Sequence, residues 1–207
     1  MPKGKRKNQK SNDMRGEILA ASQKILLEEG FRTLSMRRVA AAIGYSATAI
    51  YLYFENRDAI VAELGRRALE HLVAALEAVD GKLPPLERLR LYGSAYLRFS
   101  QEHPDAYRLI FMEDTDLAET IFRCRGSETA STAGERAFAL LAQPFFEIRN
   151  LDTRWSSREP GRHAEAFWTS LHGIAALNLT CAKFLQTRPE ELAQLVVAAL
   201  LAGLPAV

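Results

Sequence analysis

The chain has 207 residues, of which 48% are hydrophobic and 25% are charged, and this composition argues against a disordered tail, a collagen-like repeat or a disulfide-rich mini-protein. Its two cysteines are too few for a disulfide framework, and its longest nearly uncharged apolar stretch, residues 195–207, is too short to cross a membrane. The net charge of +2 hides an asymmetry, because residues 1–60 carry 11 Lys and Arg against 6 Asp and Glu, whereas residues 61–207 carry 16 against 19. We therefore expect a cytoplasmic protein with reduced thiols and a basic N-terminal part.

The chain opens with a run of cations. They are Lys3, Lys5, Arg6, Lys7 and Lys10. The run is also rich in Asn, Gln and Ser and has no aliphatic residue before Met14, so residues 1–12 are predicted to form a mobile, disordered arm. Such an arm is either a solubilising tail or an extension that contacts nucleic acid, and its meaning depends on the sequence that follows.

Helical spacing of apolar residues predicts three short helices within residues 13–58. The first ends at Gly30, a good C-terminal stop, and Ser35 caps the second, which ends at Gly44. Ser46 caps the third helix, and Asn56 caps the one that follows. Two short helices joined by about three residues around a glycine are typical of a helix-turn-helix, although an ordinary α-hairpin has the same outline.

In a helix-turn-helix the second helix, here residues 46–53, presents its N-terminal side chains to the major groove. Its predicted exposed side chains are Ser46, Ala47, Thr48 and Tyr51. This helix has no Arg, Lys, Asn or Gln, the usual bidentate readers of bases, so base contact is predicted to rest on Ala47 and Thr48 together with Arg37 from the preceding helix. Phosphate contacts are predicted for Ser35, Tyr51, Tyr53 and Arg57.

A family resemblance is carried by residues 33–60, which read TLSMRRVAAAIGYS and then ATAIYLYFENRDAI. They resemble the DNA-binding domain of TetR-family transcriptional regulators. The matching landmarks are Gly30, Phe31, Ser35, Val39, Ala40, Gly44, Ser46, Tyr51, Phe54, Arg57 and Asp58. The chain departs from the family at Tyr45, Leu52 and Tyr53, where the family often has Val, a basic or polar residue, and His. The resemblance implies that the arm, through Lys5, Arg6 and Lys7, follows the DNA backbone or enters the minor groove.

The remaining sequence has helical but no strand periodicity, so the fold is predicted to be all-α. After a long helix that ends at Gly81, helices are predicted at residues 86–100, 104–112, 137–148, 164–185 and from about 189 onward. Residues 126–134 and 152–162 are predicted loops, and Pro144 is predicted to kink or break its helix. We expect three parts, which are the disordered arm at 1–12, a helix-turn-helix DNA-binding domain at 13–58, and a helical ligand-binding and dimerisation domain at 59–207.

The last two predicted helices are too apolar to be half-exposed surface helices. The first carries Phe167, Trp168 and Leu171, and the second carries Leu192 and Leu195. A pair of this kind buries its second face against a partner, most simply its own copy across a two-fold axis. The pair also resembles the dimerising four-helix bundle of TetR-like proteins. We expect a homodimer that reads a palindromic operator in double-stranded DNA.

Residues 103–111 and 167–173 resemble one C-terminal ligand-binding subtype of the family, whose hallmark is a Trp, His and Gly grouping, here Trp168, His172 and Gly173. Trp168 and His172 are four residues apart, so they lie on nearly the same helical face. The candidate ligand pocket consists of Tyr96, Phe99, Tyr107, Phe111, Met112, Trp168 and His172. Such side chains suit a small apolar or aromatic effector, or they simply fill the core.

No catalytic motif or metal-ligand spacing is found, so no catalytic residue, metal or cofactor is predicted. Cys124, between Arg123 and Arg125, is either a redox-sensitive thiol or an inert cysteine. The leading hypothesis is a nucleoid-associated TetR-type regulator, a repressor released by its effector. The alternatives are an all-helical ligand carrier or enzyme without specific DNA binding, and a DNA-binding dimer without an effector.

Overall fold

The computed structural model describes residues 3–112 and 132–203, with side chains from Asp13 onward except that of Arg154, and within this part the chain is helical and has no strand, as the sequence predicts. The α-helices are α1 (Lys3–Glu29), α2 (Met36–Ala42), α3 (Ala47–Tyr51), α4 (Arg57–Glu77), α5 (Pro85–Glu102), α6 (Pro104–Phe111), α7 (Ala133–Leu151), α8 (Pro160–Cys181) and α9 (Pro189–Gly203). Short 3-10 turns occur at Phe31–Thr33, Thr153–Trp155 and Ala182–Phe184.

The described residues form two compact units. The first contains residues 3–67 together with Phe111 and Met112, and the second contains residues 68–110 and 132–203. Helix α4 contributes residues to both units, whereas the sequence places a domain boundary at residues 58 and 59. The domain boundaries of the sequence analysis therefore stay predictions.

The helix N-caps predicted from the sequence are present in the first unit. The Ser35 hydroxyl accepts a hydrogen bond from the Arg38 amide, and the Ser46 hydroxyl accepts one from the Ala49 amide, each at 3.2 Å. Asn56 caps α4 by accepting from the Ala59 amide at 2.8 Å. Gly44, between α2 and α3, has a φ of 73°, a left-handed conformation that favours glycine. The caps and glycine stops predicted for residues 30–56 are confirmed, whereas the helix predicted to end at Gly81 ends at Glu77.

The N-terminal arm differs from its prediction, because α1 begins at Lys3 and residues 3–12 are helical backbone. Residues 5–12 contain Lys, Arg, Asn, Gln and Ser without Gly or Pro. Lys, Arg and Gln fit a helix at little cost, and a helix that already exists over the following residues removes the need for a new nucleus.

In the second unit, helix starts differ from the prediction where capping was overlooked. Thr132 and Glu135 form a capping box, so α7 starts at Ala133 within the predicted loop and continues through the buried Pro144. Pro160 occupies the first turn of α8 with a preset φ, which shortens the predicted loop at 152–162. Helix α8 ends at Cys181, short of the predicted Leu185, and a 3-10 turn follows.

The core of the second unit lies on one face of α5, which buries Leu89, Tyr92, Tyr96 and Phe99. Gly93 allows close packing, since a Cβ at this position would lie 3.5 Å from Ala193 of α9 and 3.5 Å from Leu171 of α8. Among the described helices, none is both long and apolar enough to cross a membrane.

Candidate DNA-binding surface and ligand-binding core

Helix α3 is anchored on one side and exposed on the other. Ile50 is fully buried, whereas Thr48 is exposed, Tyr51 is 55% exposed and the adjoining Leu52 is 80% exposed. Ser46 is exposed and Ala47 is half-buried at the start of the helix. A short helix with this division is anchored through its buried face while its outer side chains stay accessible to another molecule.

The two capping serines keep a donor for a second partner. Each hydroxyl uses an oxygen lone pair to accept from the helix backbone, while its proton stays available for a phosphate oxygen. Arg37 is exposed on α2, and the neighbouring Arg38 forms an ion pair with Glu29 of α1. The sequence analysis predicts a base contact for Arg37 and none for the neighbouring Arg38.

Arg57 and Tyr53 are more constrained than the sequence suggests. The Arg57 guanidinium lies 4.6 Å from the centre of the Phe31 ring, and its Nε donates to Asp58 at 3.2 Å. The Tyr53 side chain is half-buried, and the Tyr53 carbonyl accepts from Arg15 Nη1 at 3.1 Å. A phosphate contact from Arg57 therefore has to share the guanidinium with these groups.

Arg15 is a residue that sequence reasoning missed. Besides its bond to the Tyr53 carbonyl, its guanidinium lies 4.3 Å from the centre of the Phe54 ring. These contacts fasten α1 to the segment after α3. No spacing rule pairs an arginine with a carbonyl 38 residues away. The side chains of Lys5, Arg6 and Lys7 lie outside the described ones, so their DNA contacts stay predictions.

The second unit brings four of the predicted pocket residues into one polar network. The Tyr107 hydroxyl lies 2.7 Å from Nδ1 of His172 and 3.2 Å from its main-chain carbonyl, and the two rings stack with centroids 5.6 Å apart. The Tyr96 ring meets the Tyr107 ring edge-on at 6.2 Å. Trp168 lies close enough to the Tyr96 hydroxyl to lower its pKa.

Burial is the largest cause of the pKa shifts in this network. Burial raises the pKa of Tyr96 well above its usual range, the neighbouring Tyr107 raises it further, and Trp168 lowers it. Burial also raises the pKa of Tyr107, and the neighbouring Tyr96 lowers it. Burial lowers the pKa of His172, which keeps its imidazole neutral.

The other predicted pocket residues lie elsewhere. Phe99 is buried with its ring 5.6 Å from that of His103. Phe111 is half-buried and Met112 exposed, and both belong to the first compact unit rather than to that of Tyr96, Tyr107, Trp168 and His172. Their place in a pocket stays a prediction.

The structure also shows aromatic contacts that the sequence did not indicate. The Phe138 ring of α7 packs edge-on against Trp168 at 6.0 Å. Phe145 contacts Trp155, His163 and Phe167, with ring centroids 6.4, 6.2 and 5.9 Å away. Helical periodicity could have placed Phe138 and Phe145 on one face of α7, but it does not identify their partners.

Within the described residues, no three His, Cys, Asp or Glu side chains form a group that could hold a metal ion. Cys181 is exposed, and Cys124 lies outside the described residues.

Comparison with known proteins relates both parts of the chain to one family. Residues 18–64 match the family described as bacterial regulatory proteins, tetR family, and residues 89–200 match the tetracyclin repressor-like C-terminal domain. The second match alone covers more than half of the chain.

Two curated relatives align with part of the chain. An uncharacterized HTH-type (helix-turn-helix) transcriptional regulator from Haemophilus influenzae is 28% identical over 123 residues, which are 56% of this chain and 66% of the relative. The HTH-type transcriptional repressor KstR2 from Mycobacterium tuberculosis is 30% identical over 105 residues, which are 50% of this chain and 52% of the relative. The alignments thus span between half and two-thirds of these relatives.

Among solved structures, the transcriptional regulator FadR from Bacillus subtilis in complex with stearoyl-CoA has the same fold, with a TM-score of 0.69 at 14% identity over 91% of this chain and 98% of that chain. The helix-turn-helix of α2 and α3, the helical second unit and the two family matches lead to one conclusion. The chain belongs to the TetR family of transcriptional regulators.

Proposed function

We propose that this protein binds a palindromic DNA operator as a homodimer and represses transcription until a small effector releases it. The observation that carries the proposal is the anchored α3, which leaves Thr48 and Tyr51 accessible beside the exposed Arg37 of α2. A helix presented in this way fits the major groove, and flanking hydroxyl groups and cations suit the phosphates. A protein that works on DNA in this way is expected in the cytoplasm at the nucleoid, without catalytic activity.

Dimerisation through α8 and α9 is supported by apolar side chains that the single chain leaves exposed. The buried face of α8 includes Phe167 and Leu171, yet Leu177 on the same helix is 47% exposed. On α9, Val197 is buried while Leu195 is 62% exposed. A second copy across a two-fold axis would cover these outer faces, since an isologous contact uses the same patch twice.

The effector proposal rests on the character of the second unit. Tyr96, Tyr107 and Trp168 offer aromatic surface, and the Tyr107–His172 pair offers one polar contact point. We therefore propose an effector that is mainly apolar or aromatic and carries one hydrogen-bonding group. The related fold of FadR holds stearoyl-CoA, whose acyl chain is apolar while its CoA part is charged. If effector binding weakens operator binding, then operator binding must weaken effector binding by the same factor.

Selection of bound duplexes from a random DNA pool tests the DNA-binding part. We expect recovered sequences to be palindromes, and we expect Tyr51→Ala and Arg37→Ala to weaken binding. Arg149→Ala, which removes an exposed arginine from α7 in the other unit, is the matched control and should bind normally. Failure to recover any preferred sequence would support a ligand carrier or an enzyme instead.

The effector and the sign of regulation need separate measurements. Thermal shifts with apolar and aromatic compounds should reveal at least one stabilising compound that also lowers operator affinity. No response to any such compound would favour a DNA-binding dimer without an effector. A reporter under the selected operator should be less active when the protein is present, and a more active reporter would contradict repression.

A further inference from the structure

The fold brings together two histidines that lie far apart in the sequence. His71 lies on α4 and His103 lies at the junction of α5 and α6, yet their ring centroids are 5.8 Å apart with 43° between the ring planes. Both side chains are exposed, so solvent reaches this pair of imidazoles. Helical spacing did not indicate the pair, because its members come from different elements.

These two histidines differ from the other two in the chain. His163 is buried and its Nδ1 contacts the Glu159 carbonyl at 2.9 Å, while Nδ1 of His172 contacts the Tyr107 hydroxyl. By contrast, the rings of His71 and His103 make no hydrogen bond or ion pair within residues 3–112 and 132–203. Their nitrogens therefore keep lone pairs for an external ligand. Phe99 packs against His103 with centroids 5.6 Å apart and supports that ring from the side of α5.

The separation of the rings suits one shared ion. Metal–imidazole bonds are about 2.0–2.1 Å long, so two imidazoles on one ion have centroids about 4.5–6.5 Å apart, depending on the angle at the metal. The observed 5.8 Å lies within this range. Imidazole is a preferred ligand of nickel, copper and zinc, whereas magnesium and calcium prefer oxygen.

We propose that His71 and His103 form a site for a first-row divalent transition metal ion, with water completing its coordination. Two protein ligands make an open site, because the described residues place no third His, Cys, Asp or Glu in a common group. The ion would join α4 to the α5–α6 junction. This site rests on the position of the two rings and not on the proposed function, so it can fail or succeed independently of DNA binding.

Nickel titration of the untagged full chain, labelled with 13C-histidine and kept reduced with a phosphine, tests the proposal. The chain has four histidines, so each imidazole gives a separable signal. We expect substoichiometric Ni²⁺ to broaden the His71 and His103 signals together, before those of His163 and His172. Broadening of only one of the pair, or equal broadening of all four, would overturn the site.

Variants give a second readout. His71→Ala and His103→Ala should each weaken Ni²⁺ binding by about tenfold or more. Glu102→Gln, an exposed neighbour of His103, is the matched control and should bind as the wild type does. Saturating Ni²⁺ should raise the midpoint of thermal unfolding in the wild type and in E102Q but not in either histidine variant. Unchanged affinity in either histidine variant would contradict a shared ion.

Discussion

Arg15 connects α1 to the end of α3 through two separate contacts of one guanidinium. Nη1 donates to the Tyr53 carbonyl, and the guanidinium carbon lies over the Phe54 ring. Because Tyr53 and Phe54 directly follow the proposed reading helix, these contacts help to hold that helix in place. Position 15 therefore influences DNA binding indirectly, through the geometry of α3.

We predict that Arg15→Ala lowers the free energy of unfolding of the first unit by about 1–2 kcal/mol, because a charge-assisted hydrogen bond and a cation–π contact are lost. Hydrogen exchange of the α3 amides under native conditions measures the effect. Arg32→Ala removes an exposed arginine without a contact in the described residues and should leave exchange unchanged. Equal protection in R15A and the wild type would refute a holding role for Arg15.

His172 predicts a pH dependence of stability. Its pKa is lowered by burial in the folded protein, whereas an unfolded histidine titrates near pH 6.5. The folded state therefore binds fewer protons than the unfolded state between its own pKa and about 6.5. The contribution of His172 to the free energy of unfolding is therefore fully present above this window. It is lost as the pH falls through the window.

Urea unfolding at several pH values from 7.5 downward tests this prediction. In the wild type the unfolding midpoint should move to lower urea concentration as the pH falls below about 6.5. His172→Gln, which keeps a hydrogen-bonding group towards Tyr107, should show a flatter profile. The same pH profile in H172Q would mean that another group is responsible.

At the scale of elements, the first turn of α3 contains one residue that stabilises the helix and another that we propose contacts DNA. The Ser46 hydroxyl accepts from the Ala49 amide, whereas the exposed Thr48 makes no capping bond. Ser46→Ala should therefore reduce the free energy of unfolding by about 0.5–2 kcal/mol, the usual cost of an N-cap. Thr48→Ala should leave stability unchanged and weaken operator binding.

Thermal unfolding and fluorescence anisotropy on a selected operator, measured for both variants, distinguish these roles. Ser46→Asp, which retains a capping oxygen but adds a negative charge near the phosphates, should recover stability without recovering affinity. If T48A lowers stability as much as S46A does, the proposed division within α3 is wrong.

A partly buried ion pair joins α5 to α7. The Arg88 side chain is 1% exposed and pairs with the partly exposed Glu147, while its Nε and Nη1 have no hydrogen-bond partner in the described residues. Glu147→Ala would leave a buried charge without its counter-ion and should cost about 2–3 kcal/mol, less than for a fully buried pair. Arg88→Met removes the charge itself and should cost less than E147A.

Denaturant unfolding of the two variants at neutral pH makes the comparison. The informative result is which variant loses more unfolding free energy, E147A or R88M, since both lose the same ion pair. A larger loss in R88M than in E147A would show that packing of the arginine stem outweighs its charge.

Local sequence signals predicted those parts of the fold that depend on local chemistry. Ser35, Ser46 and Asn56 are caps because their oxygens reach amides three residues ahead, and such bonds can be predicted from spacing. The continuation of α7 through Pro144 depends on tertiary packing around a buried proline, which periodicity does not register. The helix at residues 3–12 likewise continues an existing helix, although its composition alone indicates a charged arm.

At the scale of the whole molecule, the candidate site was predictable to the extent that it lies within one element. The faces of α3 and α8 follow from helical spacing, so Thr48, Tyr51, Trp168 and His172 could be selected in advance. Contacts between elements could not be, which is why Arg15, Phe138 and the His71–His103 pair emerge only from the fold. The near-neutral net charge likewise conceals a basic first part and an acidic remainder.

The central claim is that two copies of this chain read one palindrome. Selected duplexes carrying both half-sites or only one half-site, titrated with protein while mass and anisotropy are recorded at several salt concentrations, test it most directly. We predict two chains per full palindrome, with half-sites about one helical turn apart, and weaker binding to the single half-site. The logarithm of the affinity should fall linearly with the logarithm of the salt concentration. One chain per duplex, or equal affinity for palindromic and scrambled DNA at every salt concentration, would contradict the account.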